Sequence, residues 1–74
     1  MDTDEVLRVK SWLDEALAVV GRHGQDSIMV PVVDLATSHE VLDEVSRLYA
    51  SEGRRAFVSD DGAFRVEPGK GRGP

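Results

Sequence analysis

The chain has 74 residues, a formal net charge of −5 at pH 7, one tryptophan and no cysteine. A chain this short forms one domain at most, and its stability is marginal because the core is small. The absence of cysteine excludes disulfide staples and fits a reducing compartment. No apolar run approaches the roughly 20 residues that span a bilayer, and the acidic start lacks the features of a signal peptide. We therefore expect a cytoplasmic protein with no membrane partner.

Charge is distributed unevenly along the chain. Eleven acidic and four basic side chains precede Gly53, whereas five basic and three acidic side chains follow it. An acidic body repels nucleic acid and anionic lipid. The composition therefore disfavours nucleic acid as a partner, although the C-terminal part of the chain is locally basic.

Residues 3–22 are predicted to form an amphipathic helix. At 100° per residue, one apolar stripe collects Val6, Val9, Leu13, Ala16, Leu17 and Val20. Gly21 or Gly24 can end this helix in the left-handed conformation that glycine adopts without strain.

Residues 27–35 are continuously apolar and rich in β-branched side chains, which is typical of a buried strand. Pro31 lies inside this run and cannot donate a hydrogen bond to a neighbouring strand. We therefore expect an edge strand or a bulged strand.

A second helix is predicted over residues 38–52, with Thr37 and Glu40 spaced as a capping box. Gly53 is suited to end it. Its apolar stripe consists of Val41, Leu42, Val45, Leu48 and Tyr49.

A hairpin follows, with two alternating runs around the dipeptide Asp61–Gly62, which favours a two-residue type I′ turn. That turn pairs Phe57 with Val66 and predicts that Phe57, Phe64 and Val66 all face the helices. Residues 68–74 are rich in glycine and proline and are predicted to be a flexible tail.

These elements predict an α+β fold, with an N-terminal helix followed by a β-α-β-β unit. The expected sheet has three strands and is mostly antiparallel, with the last strand in the middle and both helices on one face. A single domain is expected over residues 1–67.

Within residues 28–67, a Val-x-Pro strand, a helix ending in Tyr49-x-x-x-Gly53 and a hairpin with Asp60–Asp61–Gly62 follow one another. This part of the chain resembles small β-α-β-β proteins of unknown function that bacteriophages encode. Arg54 stands where many of those proteins have a tryptophan. The resemblance implies phage origin and, with it, the cytoplasm of a bacterial host; it implies no activity and no functional residue.

Catalytic and metal-binding patterns are missing from the sequence. Nucleophilic catalysis needs a nucleophile beside a base, and neither His23 nor His39 lies in such a context. His39, Glu40 and Asp43 are ordinary polar residues of a solvated helix, and Asp60–Asp61–Gly62 is typical of a turn. We therefore expect no enzyme activity, no cofactor and no metal.

The leading hypothesis is a small binding or regulatory protein that self-associates or docks on a protein partner through its first helix. Leu7, Trp12 and Val19 lie outside the main stripe of that helix and widen its apolar surface, and tryptophan is favoured at the centres of interfaces. One alternative is nucleic-acid binding by the hairpin and tail, and a second is an acidic mimic of DNA. The residues that would bind nucleic acid are Arg54, Arg55, Arg65, Lys70 and Arg72.

Overall fold

A computed structural model describes residues 3–69 of the chain. Three helices and three strands follow one another in the order α1, β1, α2, α3, β2, β3. Their bounds are Thr3–Gly21 for α1, Ile28–Pro31 for β1, Val32–Leu35 for α2, His39–Ser51 for α3, Arg54–Val58 for β2 and Ala63–Pro68 for β3. The predicted α+β class is confirmed, with α2 as an additional helix.

Helix α1 ends at the two glycines that were predicted to end it, Gly21 and Gly24. The Gly24 amide donates to the Gly21 carbonyl at 3.1 Å, and the Gln25 amide donates to the Val20 carbonyl at 3.0 Å. Gly24 itself has a φ of +81°. This pair of hydrogen bonds around a left-handed glycine is the Schellman arrangement, so Gly24 rather than Gly21 terminates the helix.

The strand predicted over residues 27–35 is wrong in its second half. Only Ile28–Pro31 is extended, and Val32–Leu35 forms the single turn of α2. Pro31 is the N-cap residue of α2, a position at which its fixed φ and missing amide cost little. Ala36 closes the turn with a φ of +50°.

Helix α3 begins one residue later than the predicted capping box requires. The N-cap is Ser38, whose hydroxyl accepts a hydrogen bond from the Val41 amide at 3.3 Å. The predicted box of Thr37 and Glu40 is therefore wrong. At the other end, Gly53 has a φ of +82° and its amide donates to the Ala50 carbonyl at 3.0 Å, as predicted for a helix end.

The sheet has the strand order β1-β3-β2, and both pairs are antiparallel. The last strand therefore lies in the middle, as expected from sequence, and the strand with Pro31 lies at an edge.

No helix within residues 3–69 is long and apolar enough to cross a membrane. Strand β3 includes Pro68, one residue beyond the predicted domain, and residues 70–74 of the predicted tail lie outside the described part of the chain.

The hairpin register differs by one residue from the prediction. The Ser59 amide donates to the Ala63 carbonyl at 2.8 Å and the Gly62 amide donates to the Ser59 carbonyl at 3.0 Å, which makes a three-residue loop. Phe57 consequently pairs with Arg65 instead of Val66. Because side chains alternate along a strand, Phe57 points away from the helices.

The core lies between α1, α3 and one face of the sheet. Its fully buried members include Leu13 of α1, Val45 and Tyr49 of α3, and Phe64 and Val66 of β3. The opposite sheet face, which we call the open face, carries Met29, Arg55, Phe57, Arg65 and Glu67.

Candidate binding surfaces

The three first-helix residues predicted to bind a partner are all exposed. The exposed fractions are 55% for Leu7, 50% for Trp12 and 50% for Val19. At 3.6 residues per turn, Trp12 and Val19 lie about 20° apart around α1, whereas Leu7 lies about 140° from Trp12. The fold therefore brings Trp12 and Val19 onto one flank of the helix and separates Leu7 from them.

The Leu7 flank of α1 faces α3. Leu7 lines a pocket of about 350 Å³ together with Thr3, Val6, Glu44 and Leu48. Leu7 therefore borders the contact between α1 and α3, and this position within the fold accounts for an apolar residue there.

A polar cluster on this flank joins α1 to α3. The Tyr49 hydroxyl donates to Asp14 Oδ1 at 2.7 Å, and Lys10 Nζ lies 3.0 Å from Asp14 and 2.7 Å from Glu52. The same ammonium lies 4.5 Å from the centre of the Tyr49 ring, within the range of a cation–π contact. These contacts hold α1 against α3. The flank of α1 that carries Trp12 takes no part in them.

The environment of this cluster shifts two pKa values. Burial, followed by the hydrogen bond with the Asp14 carboxylate, raises the pKa of Tyr49 far above its ordinary value. Partial burial acts to lower the pKa of Lys10, but its bonds to Glu52 and Asp14 outweigh burial and raise that pKa. Both groups therefore keep their protons, as a structural bridge requires.

The Trp12 flank of α1 faces α2. Trp12 borders a small pocket of about 60 Å³ with Arg8, Val9, Asp34 and Leu35. Further toward the start of α1, a groove of about 660 Å³ separates α1 from the junction of α2 and α3. It is lined by Glu5, Val32, Val33, Ala36, Thr37, Ser38, Glu40 and Val41. We call Trp12, the groove and the α2 residues beside them the α1–α2 surface.

Val33 is the most exposed large apolar residue of this surface, with 83% of the residue accessible. The sequence prediction placed Val33 in a buried strand, so this residue was missed. The available signal was Pro31, because proline is common at the start of a helix and Val32 follows it directly.

Two carboxylates lie at the rim of the groove. Arg8 Nη2 lies 2.9 Å from Glu5 Oε2, and this hydrogen-bonded guanidinium lowers the pKa of Glu5. Glu40 lies on the other side, in the first turn of α3. The groove therefore combines an apolar lining with an anionic rim.

Helix α2, a three-residue turn and α3 follow each other as in a helix–turn–helix. In DNA-binding examples the N-terminal residues of the second helix approach base edges and need a cationic surrounding. Here the exposed side chains at that end include Glu40 and Asp43. This end of α3 is therefore anionic and lacks the cationic surrounding of those DNA-binding helices.

The arginines predicted to bind nucleic acid do not form one patch. Arg54 points to the helix side, where it donates to the Asp26 carbonyl at 3.3 Å. Arg55 and Arg65 lie on the open face, with Arg55 Nη1 3.6 Å from Glu67 and Arg65 Nη2 3.8 Å from Asp61. Lys70 and Arg72 lie outside the described residues.

The two histidines are exposed, His23 after α1 and His39 at the start of α3. Within residues 3–69, no group of three or more histidine, aspartate and glutamate side chains is arranged to hold a metal ion. Asp60–Asp61–Gly62 forms the hairpin loop, where the Ser59 hydroxyl donates to the Asp61 carboxylate and lowers the pKa of Asp61.

Comparison of the chain with protein-family models, curated proteins and solved structures found no match. The resemblance of residues 28–67 to phage-encoded proteins stays a prediction, because none of these comparisons bears on it.

Proposed function

We propose that this chain is a small non-catalytic binding protein that docks on a protein partner through the α1–α2 surface. The observation that carries the proposal is the exposure of Trp12 and Val33 on either side of α2, Val33 in the mostly apolar groove and Trp12 at the small pocket formed with Asp34 and Leu35. Exposed apolar side chains that lie near each other and are rimmed by polar residues are typical of interaction sites. The proposal keeps the first helix as the binding element and restricts it to the flank that faces α2.

The chemistry of this surface indicates what the partner presents. A tryptophan that becomes desolvated at the centre of an interface commonly contributes 2 kcal/mol or more, roughly 30-fold in affinity. Glu5, Glu40 and Asp34 surround the apolar lining, and Arg8 is the basic side chain among them. A partner segment with apolar anchors and lysine or arginine at its edges fits this arrangement.

Trp12→Ala tests the proposal, and Leu7→Ala provides a matched control. Both residues are about half exposed on the same helix, but they lie on different flanks. The partner is captured with the native chain from cells that encode it, identified by mass spectrometry and purified. We expect Trp12→Ala to weaken binding of the purified partner more than tenfold in titration calorimetry, and Leu7→Ala to change it less than threefold.

Thermal melting separates binding from folding. Since Trp12 is half exposed, Trp12→Ala should move the thermal midpoint by only a few degrees. A large loss of stability with unchanged affinity would make Trp12 a packing residue and would refute the proposal. Equal effects of the two substitutions on affinity would also refute it.

A second candidate function is binding of single-stranded nucleic acid on the open face. The observation that favours it is Phe57, an aromatic ring outside the core, with the Arg55 guanidinium 5.3 Å from its centre and Arg65 paired across the strands. Aromatic rings beside arginines form stacking platforms for bases. A gel-shift assay at low salt should then show binding that Phe57→Ala weakens at least fivefold; no shift with native protein excludes this function.

A further inference from the structure

The two edges of the sheet are built differently. Strand β1 has four residues and ends in Pro31, which has no amide to offer to another strand. Proline at an edge is a common protection against strand pairing. Strand β2 has five residues without proline and pairs only with β3 among the described strands.

The hydrogen-bond pattern shows which β2 groups point outward. Ser59 and Ala63 form a hydrogen-bonded pair, so the pairs Phe57–Arg65 and Arg55–Glu67 are also hydrogen-bonded in an antiparallel ladder. The alternate residues Arg54, Ala56 and Val58 then direct their amides and carbonyls away from β3. These outward amides and carbonyls form an unpaired row of the kind that can pair with another strand.

We propose that two copies of this chain pair through β2, antiparallel about a twofold axis at Ala56. The result is one six-stranded sheet with the order β1-β3-β2-β2-β3-β1. This interface lies at the edge of the sheet beneath α3, so it is separate from the α1–α2 surface.

The proposed register is self-complementary on both faces of the sheet. On the open face, Arg55 lies opposite Phe57 of the second copy, a cation–π pair that the twofold axis repeats. On the helix side, Arg54 of the second copy lies opposite Val58, which is 41% exposed in the single chain. The aliphatic part of that arginine covers the valine, since arginine stems pack on apolar surface.

The position of Val58 also gives charge complementarity. Strand β2 returns from Gly53 along α3, on which it packs. At about 3.3 Å per residue in a strand and 1.5 Å in a helix, Val58 lies level with the first two turns of α3. Asp43 lies in those turns, so Arg54 of the second copy comes near a carboxylate.

Helix α3 leaves room for its counterpart in the second copy. Glu44 and Leu48 mark the flank of α3 that faces α1. Ser46 and Ala50 project from the opposite flank, each about 160° around the helix from Leu48, on the side of the β2 edge. Both side chains are small, which permits helices to approach at the short end of the usual 8–10 Å.

Sedimentation equilibrium over a wide range of protein concentration is the first test. We expect the mass to rise from 8.1 kDa to twice that value with increasing concentration. A mass that stays at the single-chain value at every concentration overturns the proposal.

Cysteine cross-linking then tests the register, because the native chain has no cysteine. Hydrogen-bonded antiparallel partners lie about 5.5 Å apart at their Cα atoms, within disulfide range. Ala56→Cys should therefore cross-link to itself under mild oxidation at least tenfold faster than Met29→Cys, a control on the other edge strand. Equal rates overturn the β2 interface.

An equimolar mixture of Arg55→Cys and Phe57→Cys gives a second test that leaves the core untouched, since both residues lie on the open face. In the proposed register these two positions lie opposite each other in different copies. The mixture should form the mixed disulfide at least fivefold faster than either variant forms its own. If each variant cross-links with itself as fast as in the mixture, the register is wrong.

Discussion

The two phenylalanines of the chain provide a test of the hairpin register. Phe64 is fully buried among α1, α3 and the sheet, whereas Phe57 lies on the open face under the Arg55 side chain. Replacing a buried phenylalanine with alanine costs about 3–5 kcal/mol, because the ring loses its contacts and leaves a cavity. Phe57→Ala removes a partly covered surface ring, and we expect a loss below about 1 kcal/mol.

Urea unfolding monitored by far-ultraviolet circular dichroism measures both values. Globular domains have about 0.05–0.15 kcal/mol of stability per residue, so the whole chain has roughly 4–11 kcal/mol. Phe64→Ala should therefore remove a large fraction of the folding free energy and lower the urea midpoint steeply. Phe64→Leu keeps most of the side-chain volume and should lose less free energy of unfolding than Phe64→Ala. If the alanine variant is unfolded, the leucine variant still allows position 64 to be compared with position 57. Losses of equal size at the two positions, or a larger loss at Phe57, would refute the register.

Three further outcomes are expected. Tyr49→Phe removes a hydrogen bond to the Asp14 carboxylate and should cost about 1.5–3 kcal/mol at neutral pH, measured by urea unfolding. Because the pKa values of Tyr49 and Lys10 are raised in the folded state, the folded chain retains protons that the unfolded chain releases above about pH 10. Stability should therefore fall as pH rises from 10 to 12 in thermal melts, and less steeply in Tyr49→Phe; identical slopes would contradict this. Gly62→Ala forces a β-carbon into a φ of +81° and should cost about 1 kcal/mol, whereas an unchanged urea midpoint would contradict the loop geometry.

Much of the fold could be predicted from residue patterns because local chemistry agrees with the tertiary structure. The period of apolar residues located α1 and α3, and the glycines at positions 24 and 53 ended them by adopting positive φ. Pro31 indicated an edge strand because its missing amide is tolerated there, and the sheet order confirms it.

The hairpin register could not be read from Asp61–Gly62 alone. A type I′ turn needs positive φ at both residues, whereas the three-residue loop needs it only at Gly62. Gly62 has a φ of +81°, and Ala36 is the only non-glycine residue with positive φ among the described residues. Asp61–Gly62 is compatible with both the two-residue turn and the three-residue loop. The three-residue loop forms because it places Ala56 on the same sheet face as Phe64 and Val66, where all three pack in the core.

The binding surfaces were only partly predictable for a similar reason. A helical wheel showed that Leu7, Trp12 and Val19 lie outside the main stripe, but the flank that each occupies depends on where α2 and α3 pack. Val33 became visible as a surface residue only once the chain turned into α2 after Pro31.

The three-residue loop of the hairpin also constrains how this chain can change in evolution. Deleting one loop residue would shift β2 by one position against β3 and would turn Phe57 inward and Ala56 outward. Such a deletion would exchange the buried and exposed surfaces of β2 in a single event. Substitutions can therefore alter the open face gradually, but loop insertions and deletions should be tolerated there only in pairs that restore the original alternation.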